Sequence, residues 1–336
     1  MTTCRSDSYV YSFTTLVGSI CIFIFLLKLL IALRKFFLRE GFDLGKRYGT
    51  GTWALITAPT SATGNGFAVE LAKQGFNIIL LGRDIEKLHK MRDLLILRHN
   101  TKVRTLVMDF RGASDISFFA EVLRQAEDLD VSIIVHAVGM AALSKKFHLQ
   151  SAERNRQCLI VNMFAPVLLS HHLIPRLQLR YHKSAIINIS GENAHQPIPG
   201  MAISSGAKSF IRQFSVAASY EYEDKIDIMS VQPLAVKKAK LNDSTPESVF
   251  VIESCEFAKS CLKQLGHERS TSGHWIHQLQ SWAYSLIPEE LKLRFWFKVL
   301  LPQHLRASSS GISDKSKPSN GSSSIDKNAD LSQKLK

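Results

Sequence analysis

The chain has 336 residues, 45% of them hydrophobic, and its 42 Lys and Arg against 29 Asp and Glu give a formal net charge of +13. The part after residue 50 is long enough for one α/β domain of about 250 residues with a full core. The basic residues are spread along the chain and cluster mainly in the juxtamembrane segment and the C-terminal third, which fits an anionic membrane surface or an acidic ligand better than nucleic acid. The five cysteines lack C-x-x-C spacing. Neither zinc nor a disulfide framework is therefore indicated, and we expect the folded part to be cytosolic.

An uncharged run of 20 residues, 8–27, lies near the N-terminus. Its length matches that needed to cross a hydrocarbon core of about 30 Å. Basic residues follow the run instead of preceding it, so we interpret it as a membrane anchor and not as a cleaved signal peptide. The positive-inside bias then predicts a lumenal N-terminus and a cytosolic chain after Arg34.

Residues 53–81 have the pattern of a strand, a turn, a helix and a second strand. The apolar run 53–57 is too short for a helix and predicts a buried strand, while apolar residues three and four apart predict a helix over 64–74. Gly75 stands where a helix ends in the left-handed conformation. Such a unit begins a dinucleotide-binding fold, in which the helix N-terminus offers N–H groups and a positive dipole to a pyrophosphate.

Similar patterns continue through the chain, with strands alternating with helices. This alternation predicts an α/β fold with a doubly wound parallel sheet of the Rossmann type. The further predicted strands are 102–109, 131–137, 184–189 and 226–231, and the further predicted helices are 85–94, 152–177 and a long helix ending at Tyr222.

The turn 57–64, with the sequence TAPTSATG, is similar to the T-G-x-x-x-G-x-G turn of the short-chain dehydrogenases. Gly64 matches the last glycine, but Ala58 and Ala62 replace the other two. Pro59 favours an extended conformation at the residue before it, and the methyl group of Ala62 stands where the family's backbone approaches phosphate. Weak or absent binding of NADPH is therefore expected, and a turn that binds nothing is the alternative.

The resemblance implies further cofactor-binding residues after each strand. Arg83 stands where NADP-binding members place a base, which favours NADP(H), although a solvated arginine at a helix start is equally consistent. Asp109 takes the position that meets the adenine ring, with a loop aspartate as the alternative. Val138 and Gly139 belong to VHAVGM, aligned with the family's N-N-x-G motif, in which His136 and Ala137 replace both asparagines.

The loop that surrounds nicotinamide in the family aligns with QPLAVKK. Pro233 and Val236 are its implied cofactor-binding residues. Lys238 replaces the threonine that the family has in this loop.

The catalytic positions of the family are only partly retained. Asn162, in LIVN, matches the catalytic-helix asparagine that holds a relay water, although a satisfied core polar residue is the alternative. Lys208 ends SSGAK, aligned with Y-x-x-x-K, and binds ribose and lowers the tyrosine pKa in the family. Ser204 replaces that tyrosine, and Gly191 replaces the serine that orients the carbonyl.

A positioned general acid contributes about 10²- to 10⁴-fold to a rate, so these replacements predict impaired catalysis. Three other donors stay open as substitutes: Ser190, His195 and His136. Each is equally explained as a hydrogen-bonded loop or core residue.

The C-terminal part, with GHWIH at 273–277 and the stretch 282–301, resembles one branch of the family. That branch is the membrane-bound 3-oxoacyl-CoA reductases of very-long-chain fatty-acid elongation, close to microsomal 17-beta-hydroxysteroid dehydrogenases. It implies an endoplasmic reticulum membrane protein with a cytosolic domain, acyl-CoA or another lipid as ligand, elongase subunits as partners and a homodimer.

The predicted organisation has four regions. Residues 1–47 are the anchor and its basic flank, and residues 48–280 are the Rossmann-like domain. Residues 281–305 form an amphipathic segment that lies on the membrane or caps the substrate groove, and residues 306–336 form a disordered tail.

Two functions follow from the sequence. The favoured one is a membrane-bound, catalytically inactive or impaired member that acts in or beside fatty-acid elongation. The alternative is an active NADPH-dependent reductase of 3-oxoacyl-CoA, or of a steroid-like ketone, with a relocated proton donor.

Overall fold

The computed structural model describes residues 3–140, 146–237 and 248–310. The strands within these ranges are β1 Trp53–Thr57, β2 Asn77–Gly82, β3 Val103–Val107, β4 Val131–His136, β5 Ser184–Ile189, β6 Ile226–Val231, β7 Val236–Lys237, β8 Ile252–Glu253 and β9 Ser270–Thr271. The helices are α1 Thr3–Leu33, α2 Leu44–Tyr48, α3 Ala62–Lys73, α4 Ile85–His99, α5 Ala120–Gln125, α6 Ala152–Leu159, α7 Ala165–Gln178, α8 Ala202–Glu221, α9 Ser254–Gln264, α10 Trp275–Ser285 and α11 Glu289–Ser310.

Seven of the described strands form one sheet in the order β3-β2-β1-β4-β5-β6-β9. All neighbours in it are parallel, which confirms the predicted doubly wound fold. The six predicted strands are present within two residues of their predicted ends. Strand β9 was not predicted because two residues carry no periodic pattern. Strands β7 and β8 form a separate parallel pair beside the sheet.

The helices also follow the predictions, with three differences. A π-helical turn, Ile160–Phe164, interrupts the predicted helix 152–177. Helix α4 continues past residue 94 to His99 and ends at Asn100, which is left-handed with φ 49°. Helix α11 continues past residue 306 to Ser310, and the rest of the predicted tail lies outside the described residues.

Both faces of the sheet are covered by helices, so its strands are apolar on both sides. Helices α3, α4 and α9 bury residues such as Phe67, Leu88 and Phe257 on one face. Helices α7 and α8 bury residues such as Leu173 and Ala218 on the other. These two cores explain why the strand sequences show continuous apolar runs.

Within the described ranges, two helical segments are long and apolar enough to cross a membrane, Tyr11–Leu38 and Ala152–Gln178. The most apolar part of the second is 56% buried, whereas that of the first is 0% buried. The second is therefore a core helix of the domain. The first remains as the candidate anchor.

The chain that follows the apolar segment is fastened to the domain. Lys35 and Arg39 both pair with Glu268, at 3.3 and 2.6 Å. Further along, Arg47 donates a hydrogen bond of 2.6 Å to the carboxylate of Asp227. These contacts hold residues 35–47, at the end of the candidate anchor and just after it, against the edge of the sheet formed by β6 and β9.

Helices α3 and α9 cross at Gly66. A Cβ atom at this position would lie 2.0 Å from the carbonyl oxygen of Ser254, so only glycine permits the contact. Gly206, in α8, is a contrasting helical glycine, because a Cβ atom there meets nothing within 4 Å.

We expect Gly66→Ala to lower the free energy of unfolding by about 3 kcal/mol, since the two helices must separate. Gly206→Ala is the matched control. It should raise stability by about 0.5–1 kcal/mol, because alanine is the better helix former. Thermal unfolding of the detergent-solubilised chain measures both. Equal effects of the two substitutions would contradict the close crossing.

Candidate active site

The strand order reverses between β1 and β4, the place where ligands bind in open α/β sheets. A cavity of about 440 Å³ lies there. Five predicted cofactor-binding residues line it: Ala58, Arg83, Asp109, Val138 and Gly139. Ala62, Gly64, Lys208, Pro233 and Val236 are not among its described lining residues.

The turn from β1 into α3 corrects one expectation. Ala58 is left-handed, with φ 46°, and not extended as Pro59 predicted. Its N–H donates to Leu81 O at 2.8 Å and its carbonyl accepts from Ser61 N at 3.0 Å. These two hydrogen bonds outweigh the backbone strain of a left-handed alanine, which is about 1–2 kcal/mol.

Gly64 has a structural role in the same turn. A Cβ atom there would lie 2.4 Å from the carbonyl oxygen of Ala58. Ser61 caps α3 by accepting a hydrogen bond of 3.1 Å from Gly64 N, and Ala62 follows as the first residue of the helix. The retained glycine is thus the one that the fold requires sterically.

The cavity has a basic lining. Arg83, Arg111 and Arg154 line it together with the carboxylate of Asp109. Asp109 accepts a hydrogen bond of 2.8 Å from Arg111 Nε, and this bond lowers the Asp109 pKa. Three guanidinium groups against one carboxylate suit an adenosine group that carries phosphate, so the residues fit this half of a dinucleotide.

Asn162, Gly139 and Lys208 meet beside the cavity. A Cβ atom built on Gly139 would lie 3.4 Å from both Asn162 Oδ1 and Lys208 Nζ. The Lys208 ammonium donates to Ile189 O at 3.0 Å, and Asn162 Nδ2 donates to Met140 O at 3.0 Å. Burial lowers the pKa of Lys208 to about 8, so most of the amine is protonated at pH 7. The polar pair expected from the motifs is therefore assembled.

The two substituted positions lie next to this pair. Ser204 is buried on α8, one turn before Lys208 and hence on the same helical face. Gly191 follows β5, and a Cβ atom there would lie 2.7 Å from Asn193 Oδ1. Ser204 therefore offers an alcohol in place of a phenol, and Gly191 offers no side-chain donor.

Two of the three proposed substitute donors are engaged elsewhere. Ser190 donates its hydroxyl to Lys208 O at 2.7 Å. His136 is buried, and its Nε2 lies 3.0 Å from Ser170 Oγ of α7. Burial lowers the pKa of His136 to about 3, so its imidazole is neutral at pH 7 and is a weak general acid. Both are structural residues in this fold.

His195, the third, lies in a different cavity of about 480 Å³. That cavity borders the face of α8 that carries Ser205 and Ser209, not the face of Ser204 and Lys208. Partial burial, and then the charge of Arg212, lower the pKa of His195. The ring is therefore neutral at pH 7 and is a poor general acid.

The loop of the implied nicotinamide site is held from two sides. Val236 pairs with Ile252 in the β7–β8 ladder, and Pro233 O accepts a hydrogen bond of 3.1 Å from Glu192 N. His277 Nε2, on α10, lies 3.3 Å from Ala235 O. Lys238 lies outside the described residues.

Glu192 is a candidate functional residue that the sequence analysis missed. It directly follows Gly191, and its Oε1 accepts a hydrogen bond of 2.8 Å from Ser281 Oγ of α10. Its Oε2 is buried and has no hydrogen-bond partner among the described residues. Burial raises the Glu192 pKa. No motif marked this residue, because its environment is made by α10, which lies 80 or more residues further along the chain.

Because burial raises the pKa of the Glu192 carboxyl in the folded protein, ionisation of this group lowers the stability of the fold in a pH-dependent way. The unfolded carboxyl ionises first as pH rises, so the contribution of Glu192 to stability is full below its unfolded pKa and is lost as pH rises through its folded pKa. Glu192→Gln removes this titration. We expect the variant to gain thermal stability relative to the parent at pH 7.5 and to gain less at pH 4. A difference that does not change with pH would contradict a buried, destabilised carboxylate.

The chain belongs to the short chain dehydrogenase family, whose model matches residues 52–248. It is 29% identical over 265 residues to a very-long-chain 3-oxoacyl-CoA reductase of Macaca fascicularis, which covers 76% of this chain and 81% of the relative. It is 30% identical over 269 residues to the inactive hydroxysteroid dehydrogenase-like protein 1 of Homo sapiens, covering 79% of each chain. The family is one of oxidoreductases. Relatives with similar identity to this chain include one that is named a reductase and one that is named inactive.

Solved structures share the fold. A structure from work on 7beta-hydroxysteroid dehydrogenase stereoselectivity superposes with a TM-score of 0.67 at 20% identity, covering 76% of this chain and 99% of the other. A short-chain dehydrogenase from Sphingobium yanoikuyae in complex with NADPH has a TM-score of 0.57 at 22% identity, covering 82% and 100%. At these identities the likeness extends to the fold alone.

Proposed function

We propose that this chain is a membrane-anchored short-chain dehydrogenase-like protein that acts in or beside very-long-chain fatty-acid elongation and does not reduce 3-oxoacyl-CoA at a rate typical of the family. It is placed in the endoplasmic reticulum membrane with its domain in the cytosol. The apolar segment Tyr11–Leu38 and its basic flank support this placement.

One observation carries the loss of activity. Lys208 and Asn162 stand together at Gly139, whereas the positions of the family's tyrosine and serine hold Ser204 and Gly191. A ketone oxygen that becomes an alkoxide after hydride addition needs a proton donor and a hydrogen bond in the transition state. The alcohol of Ser204 is far less acidic than a phenol, and Gly191 has no side-chain donor. The similarity to a relative that is named inactive supports the proposed loss of activity.

The proposed cofactor is NADPH, and the chain is proposed to bind it weakly or not at all. Arg83 and Arg111 would bind the phosphate of its adenosine half, and Lys208 would contact the nicotinamide ribose. When bound, the cofactor supplies the hydride. Ala58 and Ala62 retain the turn without the glycines that let a backbone approach the pyrophosphate closely, so the chain holds only part of the ordinary phosphate contacts.

The proposed ligands are acyl-CoA or another lipid. The names of the curated relatives, very-long-chain 3-oxoacyl-CoA reductases, support this class. Elongase subunits and a second copy of the chain are the proposed protein partners. Nucleic acid is not proposed, since the basic residues cluster mainly in the juxtamembrane segment and the C-terminal third, which suits an anionic membrane surface or an acidic ligand.

The relocated-donor alternative is favoured by one feature, Glu192. Its raised pKa keeps a fraction of the carboxyl protonated closer to neutral pH, and it directly follows the position of the missing serine. In this alternative Glu192, and not His136, His195 or Ser190, gives the proton to the alkoxide.

Fluorescence titration with NADPH tests the cofactor proposal. We expect no saturation at micromolar NADPH, because the altered turn loses pyrophosphate contacts that Arg83 and Lys208 only partly offset. Arg83→Ala should then change little. Arg98→Ala, an exposed arginine at the end of α4, is the matched control. Micromolar binding that is lost in Arg83→Ala but kept in Arg98→Ala would show a working nucleotide site.

Restoring the missing groups tests the catalytic proposal. If nucleotide binds, Gly191→Ser with Ser204→Tyr should recover NADPH consumption with a long-chain 3-oxoacyl-CoA, by roughly 10²-fold or more over the parent. Ser204→Tyr alone should recover less, since such groups act as a unit. The serine at 191 also needs the Asn193 side chain to move aside. Gly191→Ser with Ser204→Phe is the control, because it adds the ring without the acid.

Robust turnover by the unmodified chain would overturn the proposal of inactivity. Its loss in Glu192→Gln would then assign the relocated donor, whereas its loss in His195→Ala or Ser190→Ala would assign one of the donors expected from the sequence.

A further inference from the structure

A stripe of exposed apolar side chains runs along α10 and into α11. Trp275, Leu279 and Leu286 are spaced by four and seven residues, which places them on one helical face, and they are 41%, 55% and 84% exposed. Leu291 and Phe295, four residues apart on α11, are also exposed, at 57% and 55%. These five residues are called the C-terminal stripe. A soluble surface rarely keeps large apolar side chains contiguous unless something covers them.

The stripe begins where the apolar N-terminal segment ends. The Trp275 ring lies 5.9 Å from the ring of Phe37, and Phe37 is in the last turn of the segment Tyr11–Leu38. The pairing of Arg39 with Glu268 holds this junction to the domain. If the segment spans a bilayer, its end and the first residue of the stripe lie at the same depth, at the membrane surface.

The composition of the stripe's flanks matches a lipid surface. Lys298 is exposed on α11, where its charge suits anionic headgroups. Lys292 instead lies over the ring of Tyr284, at 5.0 Å. Tryptophan at the stripe's start is the residue type that prefers the boundary between headgroups and hydrocarbon.

The inner side of α10 contacts the candidate active site. His277 is fully buried and lies 3.3 Å from Ala235 O in the implied nicotinamide loop. Ser281 donates its hydroxyl to Glu192 beside Gly191. Helix α10 therefore has an apolar outer face and an inner face that holds two loops of the site.

We propose that the C-terminal stripe is an in-plane membrane-binding surface, so that α10 lies between the bilayer and the loops of the active site. An apolar ligand dissolved in the bilayer then reaches these loops without crossing water. The inference rests on the proposed membrane anchoring but not on catalysis or on nucleotide binding.

A fluorescent label reports the environment of one stripe position in the full-length chain. Leu286→Cys carries an NBD group after Cys4, Cys21 and Cys255 are changed to serine; the other two cysteines are buried. Leu97→Cys is the matched control. Its side chain is 83% exposed against 84% for Leu286, and it lies on α4, which packs near β3 at the sheet edge opposite β9.

Both labelled chains are reconstituted into phosphatidylcholine–phosphatidylserine vesicles that contain lipids brominated on their acyl chains. We expect NBD emission at position 286 to be quenched roughly twofold or more and emission at position 97 to be unchanged. Leu279→Glu with Leu291→Glu in the 286-labelled chain should abolish the quenching, because charged side chains resist insertion.

The outcomes separate the two proposals. A chain that floats with the vesicles and resists alkaline extraction is anchored. If it is anchored but position 286 is not quenched, or if both positions are quenched equally, the stripe does not bind the membrane. If the chain is removed by alkaline extraction, the anchoring proposal fails instead, and with it the basis of this inference.

Discussion

The close contact between Gly64 and the carbonyl of Ala58 sets the geometry on which the site depends. A Cβ atom at residue 64 would lie 2.4 Å from that oxygen, so the turn from β1 into α3 can close only around glycine. Its closure places the start of α3 at the point where the strand order reverses. The cavity and its basic lining follow from that position, because residues after β1, β2, β3 and β4 all meet there.

This contact also separates what the fold requires from what nucleotide binding requires. Gly64 and Gly66 are retained at places where a side chain would strike backbone atoms. By the family resemblance, Ala58 and Ala62 stand where other members have glycine. Ala58 has the left-handed conformation that favours glycine, with φ 46°. The fold therefore accepts a methyl group at these two positions, whereas it excludes one at residues 64 and 66.

The same distinction holds at the catalytic positions. Lys208 is buried and bound to Ile189 O, and Asn162 joins α6, the π-helical turn and the segment after β4 through its amide. Removing either would leave buried partners unsatisfied, a cost of about 1–3 kcal/mol. By the family resemblance, Ser204 and Gly191 stand at the positions of the catalytic tyrosine and serine. The two residues that match the family motif, Lys208 and Asn162, thus also have hydrogen-bonding roles in the fold.

The sequence by itself determined the parallel α/β fold, six of the strands and the long helices between them, and the positions of the substituted motifs. Those features depend on local periodicity and on residues a few positions apart, as in the run 53–57 and the left-handed Gly75. Tertiary structure decided the backbone conformation of Ala58, where the long-range hydrogen bond to Leu81 O, together with the local one from Ser61 N, overcomes the preference imposed by Pro59. It also decided which alternative donors are engaged, because His136 and Ser170 or Ser190 and Lys208 meet only when separate elements pack. Glu192 and the C-terminal stripe belong to the same class: burial and exposure are properties of the packed chain, and α10 creates both when it lies across the loops of the site.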